Sequence, residues 1–422
     1  MVSSLIKIII ILLVLIPILV LGYIAYTTPW MLPSEIISPL RSLKDFTQQF
    51  SKSIERSSGV PLDAKIQDQT FIVKEHVTGL QVPTTMTFID NDILVLEKNS
   101  GKVRHVKNNI LQESPILDVS VSDKNEQGML GIVSKNTDVF LYFTESETDG
   151  KESIGNNIYK YNWDGTKLIN PILIKSLPSK SLWHNGGAMT VDSNGNVFAV
   201  IGDQTNTGSP KEQYRALQNN PNGIVDDTSV IFKISEINSG DFKLDYFAMG
   251  IRNSFGLAID PITGNLWDTE NGPEFFDEVN LVLPNFNSGW VEIMGPAMPE
   301  HILNLSVFED FQYSDPEFSW KNTVAPTALT FTNSDKFSNY KDSLFVSDCM
   351  GNIYNFKLNS ERDAFIFNDS TLEDLVFDEN DNLDEIIFGT GFGCISDLEF
   401  GPDGNLYVVS LSDNTIYSIT TD

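Results

Sequence analysis

The sequence predicts an all-β protein, a six-bladed β-propeller preceded by an N-terminal transmembrane helix. Three observations predict this fold: an uncharged apolar run near the N-terminus, a body of short apolar stretches separated by Gly, Asn and Asp turns, and a strand pattern that recurs six times. The chain has 422 residues, of which 41% are hydrophobic and 11% aromatic, so it can bury a large core. We divide it into a membrane segment (residues 1–26), a spacer (27–67) and the propeller (68–422).

The membrane segment is the run from Ile8 to Tyr26, which carries no charge. At about 1.5 Å per residue, roughly 19 residues reach about 28 Å, close to the hydrocarbon thickness of a bilayer. Lys7 supplies the positive flank of the cytoplasmic side, so the remainder of the chain is expected outside the cytoplasm. No small-x-small cleavage site follows the run, which favours a single-pass anchor in the cell membrane over a cleaved signal peptide and a secreted protein.

The recurring pattern is a polar turn followed by a short apolar and aromatic strand. Its six copies begin at Asn91, Thr137, Gly195, Gly264, Asp342 and Gly404. Copies roughly 45 to 80 residues apart fit one propeller blade each, because the strands of a sandwich would not repeat in this way. The stretch TFIVKEHV at Thr70 precedes the first copy, and we expect it to close the ring by pairing with the last blade.

Charge and cysteine content exclude several functions. The 28 basic and 57 acidic side chains give a net charge of −29, which repels phosphate backbones and argues against a nucleic-acid partner. The two cysteines, Cys349 and Cys394, exclude a disulfide-dense scaffold and an all-thiolate zinc site. The four histidines can therefore be considered one by one as candidates for imidazole chemistry.

Four segments are too specific in sequence to be explained as turns alone. They are EQGMLGI at Glu126, WHNGGAMTVDSNGNVFAVIGDQ at Trp183, MGIRNSFGLAIDPITGNLW at Met249 and TENGPEFFDEVNL at Thr269. Together with VAPTALTF at Val324 and GPDGNLYVV at Gly401, in this order, they resemble the glucose/sorbosone dehydrogenase family from Gly79 to Ser418. Members of that family are quinoprotein sugar dehydrogenases that use pyrroloquinoline quinone (PQQ) and calcium on a six-bladed propeller. The resemblance implies oxidation of an aldose or a related alcohol or aldehyde, with an external electron acceptor.

The resemblance also implies a catalytic set. His184 is followed by Asn-Gly-Gly, a tight turn that lets a ligand approach the backbone, and a histidine suits a general base. By the resemblance, His184 removes the hydroxyl proton of the sugar, Asp203 orients His184, and Arg252 with Asn253 contacts the quinone oxygens. A hydrogen-bonded structural histidine and an arginine that ties blade loops together are the alternatives. The other histidines, which have no comparable setting, are His76, His105 and His301.

The same resemblance implies a calcium site and a further cofactor contact. Gly272 and Pro273 match the pair whose backbone carbonyls hold the calcium, and oxygen ligands suit this hard cation. Asp277 and Glu278 match a segment that supports this loop and that binds a second calcium in some members; a solvated acidic run is the alternative. Glu126 matches a position at the rim of the cofactor and substrate pocket.

The sequence departs from the family at the positions that anchor the PQQ carboxylates. Members that hold PQQ have basic residues there, whereas this chain has Cys349 and Met350 in the fifth blade and Cys394 and Ser396 in the sixth. A tricarboxylate needs cationic partners, so their loss weakens the case for PQQ. The two cysteines fall in neighbouring blades, where a disulfide, two free thiols and a thiolate metal site are the three alternatives.

Two functions of other classes remain open beside the dehydrogenase. A propeller without cofactor would bind a carbohydrate or protein ligand at the cell surface, and the missing basic anchors favour it. A calcium-dependent hydrolase of the lactonase type would need several carboxylate and Asn ligands that converge on the central channel. The fold alone does not decide among the three.

Overall fold

The computed structural model describes residues 63–204, 227–305 and 310–421. One compact unit spans Leu62–Asp422. The predicted membrane segment and the first part of the spacer fall in the other unit, Met1–Pro61, and lie outside the described residues. Within the described ranges, no helix has the length and apolar character needed to cross a bilayer.

The described strands form six sheets, which we number as blades 1 to 6. Blades 1 and 2 are antiparallel meanders. The strands of blade 1 are Pro83–Ile89, Asp92–Glu97, Lys102–Lys107 and Ile110–Leu111, with Leu117–Asp118 paired to the third of them. The strands of blade 2 are Met129–Lys135, Asp138–Ser146, Ser153–Trp163 and Leu168–Leu177.

Blades 3 and 4 are meanders of four strands extended at the outer edge by short parallel strands. The strands of blade 3 are Met189–Val191, Val197–Ile201, Val230–Asn238 and Asp241–Met249, followed by Phe286–Asn287 and Gln312–Tyr313. The strands of blade 4 are Ser254–Ile259, Leu266–Glu270, Phe275–Val282 and Phe318–Asn322, followed by Val376–Phe377.

Blades 5 and 6 include strands from the start of the described chain. The strands of blade 5 are Pro326–Phe331, Ser343–Asp348, Ile353–Lys357, Ile387–Thr390 and Lys65–Ile66. The strands of blade 6 are Ile395–Phe400, Leu406–Ser410, Thr415–Thr421 and Phe71–Val77. The helices are one α-helix, Pro299–Asn304, and the 3-10 turns Asp335–Tyr340, Ser370–Asp374 and Leu383–Glu385.

The arrangement confirms the all-β propeller. Each of the six sequence repeats forms the second strand of one blade. The innermost strands neighbour one another around the axis, and that of blade 6 lies beside that of blade 1. Ring closure is also as predicted, because Phe71–Val77 pairs antiparallel with Thr415–Thr421. The propeller begins before the predicted boundary at residue 68, because the strand Lys65–Ile66 pairs with Ile387–Thr390 of blade 5.

The hydrophobic core lies between neighbouring blades rather than at one centre. Six clusters of buried side chains each join two adjacent blades. A sheet packed on both faces buries every side chain of its middle strands, so these strands read as continuous apolar runs rather than as alternating patterns. Val197–Ile201 and Leu406–Ser410, for example, are buried at every position. This packing explains why the repeats were visible in the sequence.

The propeller axis holds a cavity of about 40 Å³ lined by the innermost strands of all six blades. Asp397 and Glu399 are the ionisable side chains among its lining residues. The lining also contains no asparagine, so these described residues do not supply the converging ligands of a lactonase-type site. Burial raises the pKa of Asp397 to about 7, and burial together with the charge of Asp397 raises the pKa of Glu399 well above its ordinary value.

This cavity predicts a pH dependence of stability. Because the folded protein keeps a proton on Asp397 that an unfolded chain loses near pH 4, unfolding releases that proton, and the free energy of unfolding falls as the pH rises from about 4 to about 7. One such proton contributes at most about 1.4 kcal/mol per pH unit. Asp397→Asn should flatten the dependence measured by urea denaturation between pH 5 and pH 8. An unchanged slope would contradict the assignment.

Candidate active site

The predicted base, His184, lies in the loop between the outer strand of blade 2 and the inner strand of blade 3. Two glycines bring this loop against the neighbouring strands. A Cβ on Gly186 would lie 2.2 Å from the carbonyl oxygen of Val200, and a Cβ on Gly187 would lie 2.4 Å from the Cβ of Leu130. Both glycines have positive φ, as does His184 itself, at 54°. The His-Asn-Gly-Gly segment is therefore a close-approach turn whose glycines pack against Val200 and Leu130, and the approach of a ligand to this backbone stays a prediction.

His184 and Asp203 form the predicted pair. Nδ1 of His184 lies 2.6 Å from Oδ1 of Asp203, which follows the second strand of blade 3 and is fully buried. A carboxylate accepts this hydrogen bond, so the proton of the neutral ring is on Nδ1 and Nε2 carries a lone pair. The geometry suits a histidine that takes a proton through Nε2 while a carboxylate holds its orientation.

Arg252 and Asn253 lie between the outer strand of blade 3 and the inner strand of blade 4, beside the His184 pair. The backbone N–H of Asp203 donates to the carbonyl of Arg252 at 2.9 Å. Nη1 of Arg252 donates to the carbonyl of Asn271 at 2.6 Å. Nε of Arg252 and Oδ1 of Asn253 are buried and have no hydrogen-bond partner among the described residues. The structure thus brings together the predicted base, its orienting carboxylate and the predicted cation.

Several carboxylates surround the Arg252 guanidinium. Burial lowers its pKa, and the negative charges of Asp203, Glu270, Glu126 and Asp277 oppose that effect. Burial also raises the pKa of Glu270 to about 7 and that of Asp277 to about 6. Because an arginine stays protonated in proteins, the site holds one fixed positive charge within an acidic surrounding.

Two residues of this site were missed by the sequence analysis. Trp290, which follows the short strand Phe286–Asn287 of blade 3, donates from Nε1 to Oδ2 of Asp203 at 2.6 Å. Glu270 accepts the backbone N–H of Arg252 at 2.6 Å and the hydroxyl of Ser288 at 2.6 Å. Glu270 falls in the TENGP segment that the sequence singled out, so its position could have suggested a role. Trp290 carries no local signal, because its partner lies 87 residues earlier.

Glu126 supports the His184 turn. Its Oε2 accepts the backbone N–H of His184 at 2.5 Å, and the residue is half-buried; its contact with a ligand at the pocket rim stays a prediction. Burial raises its pKa, and the nearby His184 and Arg252 oppose this. The structure therefore gives Glu126 a supporting role in the site.

Replacing Glu126 by Ala is expected to lower the free energy of unfolding by about 1–3 kcal/mol, because the N–H of His184 would lose its acceptor in a turn with positive φ. Glu126→Gln keeps a side-chain oxygen at this place and should retain most of the stability. Urea denaturation of both variants measures the difference. A Glu126→Ala variant as stable as the parent would contradict this role.

Gly272 and Pro273 lie in the turn before the third strand of blade 4, and calcium binding at this turn stays a prediction. The carbonyl oxygens of Gly272 and Pro273 accept none of the turn and loop hydrogen bonds made by the described residues. The carboxylate of Asp277 accepts the N–H groups of Gly272, Val324 and Ala325 at 2.6–2.8 Å. It therefore supports the turn from behind, as one reading of the acidic segment predicts.

Glu278 is likewise buried and hydrogen-bonded, which corrects the alternative of a solvated acidic run. Oε1 of Glu278 accepts the N–H of Gly295 at 2.5 Å, and Oε2 accepts the side-chain amide of Asn280 at 3.3 Å. Over the described ranges, no three or more His, Cys, Asp or Glu side chains are grouped so as to hold a metal ion. Asp277 and Glu278 thus act in the structure as acceptors that brace their loops.

The other histidines lie away from this site. Nε2 of His105 lies 2.8 Å from Oδ2 of Asp92 within blade 1. His76, on the closing strand, packs edge-on against Tyr407. His301, expected in a loop, lies in the α-helix Pro299–Asn304. None of these three shares the setting of His184.

Cys349 and Cys394 form a disulfide, which is one of the three predicted alternatives. Cys349 directly follows the strand Ser343–Asp348 of blade 5, and Cys394 directly precedes the innermost strand of blade 6. The bond therefore links two neighbouring blades by a covalent bridge. Met350, beside it, is 61% exposed.

Comparison with known proteins identifies the family of this chain. A family model described as "Glucose / Sorbosone dehydrogenase" matches residues 80–418. The chain is 24% identical over 346 residues to the aldose sugar dehydrogenase YliI of Escherichia coli (strain K12), a match that covers 78% of this chain and 87% of the relative. It is 26% identical over 330 residues to quinoprotein glucose dehydrogenase B of Acinetobacter calcoaceticus, covering 66% and 68%.

Among solved structures, the PQQ-bound form of aldose sugar dehydrogenase from Streptomyces coelicolor is similar to this chain with a TM-score of 0.58 and 18% identity. The match covers 86% of this chain and 99% of that chain, and at this identity it shows the shared fold. The family model spans most of the propeller, including the segments that hold His184, Asp203 and Arg252. The chain therefore belongs to the glucose/sorbosone dehydrogenase family.

Proposed function

We propose that this protein is a PQQ- and calcium-dependent oxidoreductase that oxidises an aldose, or a related alcohol or aldehyde, at the cell surface. The family supports a sugar oxidoreductase. The observation that carries the proposal further is the His184–Asp203 pair at 2.6 Å beside the buried Arg252. A base with one free ring nitrogen next to a fixed cation suits removal of a proton and a hydride from one CH–OH group.

The reacting end of the site fits a quinone. Nε of Arg252, Oδ1 of Asn253 and Nδ2 of Asn185 are buried without a hydrogen-bond partner among the described residues. Unsatisfied buried polar atoms cost about 1–3 kcal/mol each, so a polar ligand that pairs with them would gain that energy. Arg252 and Asn253 are the residues that would hold the quinone edge, because a guanidinium suits oxygens that become negative.

The proposed chemistry divides between base and acceptor. Nε2 of His184 accepts the proton of the substrate hydroxyl, while Asp203 keeps the ring oriented and stabilises the imidazolium that forms. The carbon–hydrogen electron pair leaves the same carbon as a hydride, and a carbonyl or lactone results. PQQ, when bound, supplies the two-electron acceptor for that hydride. An external electron acceptor would then take both electrons away.

Calcium would bind at the Gly272–Pro273 turn. Its two backbone carbonyls are oxygen ligands of the kind that a hard cation prefers. Asp277 holds the turn in place through the N–H of Gly272 at 2.8 Å. We therefore expect a chelator to weaken PQQ binding without unfolding the blades.

The positions where family members anchor the PQQ carboxylates support a second candidate. The disulfide Cys349–Cys394 and the exposed Met350 lie where PQQ-holding family members have basic residues. Each charge-assisted hydrogen bond that is lost there costs about 1.5–3 kcal/mol. This observation favours a propeller that binds a carbohydrate or protein ligand without PQQ.

We also propose that the protein is held at the membrane by the apolar run from Ile8 to Tyr26, with the propeller outside the cytoplasm. The length of this uncharged run and the basic flank at Lys7 support the proposal. Protease treatment of intact cells tests it, because an outward-facing propeller would be digested while a cytoplasmic marker protein survives.

Titration of the purified full-length chain with PQQ and calcium tests the function. Stoichiometric binding, followed by dye reduction that depends on an aldose, would support the dehydrogenase. A chelator-treated sample should bind PQQ more weakly. No binding at micromolar PQQ would overturn the proposed cofactor and favour the ligand-binding propeller.

A further inference from the structure

Trp290 contacts the carboxylate that orients the base. The residue is 6% exposed, and its indole Nε1 donates to Oδ2 of Asp203 at 2.6 Å. Oδ1 of the same carboxylate receives Nδ1 of His184 at 2.6 Å. Both oxygens of Asp203 are therefore engaged, one by the base and one by the indole. The Asp203 carboxylate cannot turn toward His184 or away from it without breaking the indole hydrogen bond.

The ring of Trp290 also contacts the cation of the site. The guanidinium carbon of Arg252 lies 5.3 Å from the centre of the indole ring, within cation–π distance. The backbone N–H of Trp290 donates to the carbonyl of Gly250 at 3.1 Å, two residues before Arg252. The buried side chain of Trp290 thus contacts both Asp203, which bonds His184, and Arg252.

We propose that Trp290 is a positioning residue that couples the His184–Asp203 pair to Arg252. The indole N–H withdraws negative charge from Asp203 and so limits the attraction of this carboxylate for a protonated His184. The ring face holds the guanidinium beside the pair. The catalytic consequence rests on the proposed function, whereas the indole hydrogen bond to Asp203 and the ring contact with Arg252 exist in the protein without cofactor or substrate.

Four charged groups surround His184 and affect its protonation. Asp203 bonds the ring, the Glu126 carboxylate accepts the N–H of His184, and Arg252 interacts with both carboxylates. Glu270 adds a further negative charge near Asp203. Trp290 is uncharged, so replacing it leaves every one of these groups in place. A change in the protonation of His184 would then report the lost indole hydrogen bond.

Trp290→Phe tests the proposal because it keeps a six-membered aromatic ring and removes the N–H donor, together with some buried ring volume that the control below accounts for. Selective labelling of histidine followed by NMR gives the midpoint of the His184 titration in the full-length chain, with His184→Asn used to assign the resonance. We expect the midpoint to rise by about one pH unit, which corresponds to a hydrogen bond to a charged group. An unchanged or lowered midpoint overturns the proposal.

Trp320→Phe is the matched control. Trp320 is also a buried tryptophan, but its Nε1 has no hydrogen-bond partner among the described residues, and it packs in the core between blades 4 and 5. This control should lose packing without moving the His184 midpoint. A shift of the same size in both variants would mean that general loosening, not the indole hydrogen bond, is responsible, and would overturn the proposal.

A second measurement keeps the test decisive if Trp290→Phe does not fold. In the unmodified chain, the indole ¹⁵N resonance of Trp290 should titrate with the same midpoint as His184, because the two share Asp203. The proposal is overturned if the chemical shift of the indole ¹⁵N does not change over the pH range in which His184 titrates.

A third measurement, the catalytic activity of the reconstituted enzyme, depends on the proposed function. In reconstituted enzyme, Trp290→Phe should lower kcat about tenfold with little change in KM, and Asp203→Asn combined with Trp290→Phe should lose no more than Asp203→Asn alone. Additive losses would overturn the route through Asp203. If no variant or parent shows activity while the NMR shift is present, the proposed function fails and the coupling stands.

Discussion

Replacing His184 by Asn is expected to lower the kcat of sugar-dependent dye reduction by about a hundredfold to ten-thousandfold, the usual contribution of a general base. Asn cannot accept a proton, yet it tolerates the φ of 54° at this position better than most residues. The side chain of His184 packs little core, so the fold should remain intact. Initial rates with PQQ, calcium and an aldose, compared with the parent at saturating substrate, measure the effect.

His105→Asn is the matched control for this experiment. His105 is also buried and pairs with a carboxylate, Asp92 at 2.8 Å, but it lies within blade 1 and away from Asp203. Removing it should leave kcat unchanged and lower only stability. Turnover that survives His184→Asn would remove His184 from the mechanism, and a large loss of kcat in both variants would show that damage to the fold explains the result.

Loss of the disulfide is expected to have the largest effect on stability. Replacing both Cys349 and Cys394 by Ser should lower the free energy of unfolding by about 4 kcal/mol, the chain-entropy value for a loop of about 45 residues. The bond joins blades 5 and 6 just before the innermost strand of blade 6, so its loss should loosen the packing between these two blades first. Urea denaturation monitored by tryptophan fluorescence gives the difference.

Reduction of the parent protein provides the control for the double variant. Parent protein treated with dithiothreitol should match the double variant, and dithiothreitol should not change the variant itself. The ion pair of Lys160 with Glu236, which ties blade 2 to blade 3, is untouched by either treatment. If the double variant unfolds at the same urea concentration as the parent, the bridge carries no stability.

The strands and their repetition followed from the sequence because they depend on local pattern. A polar turn followed by a strand buried on both faces, such as Val197–Ile201, has the same short-range signature wherever it occurs. The same holds for the His-Asn-Gly-Gly turn at His184, since close approach of the backbone demands glycine. The pairing of Phe71–Val77 with Thr415–Thr421 could be inferred because a ring of blades leaves one edge to be closed.

The sequence by itself thus determined the blades, the closing strand and the family, and it singled out His184 as the candidate base. Only the tertiary structure decided that Asp277 braces the Gly272 turn, that Glu126 holds the backbone of His184, that the cysteines are bonded, and that Trp290 joins Asp203 to Arg252. For the contacts between distant residues, the physical reason is distance along the chain. The disulfide joins residues 45 positions apart, the Glu126–His184 bond 58 and the indole bond 87, and no local pattern encodes which polar atoms the ring brings together.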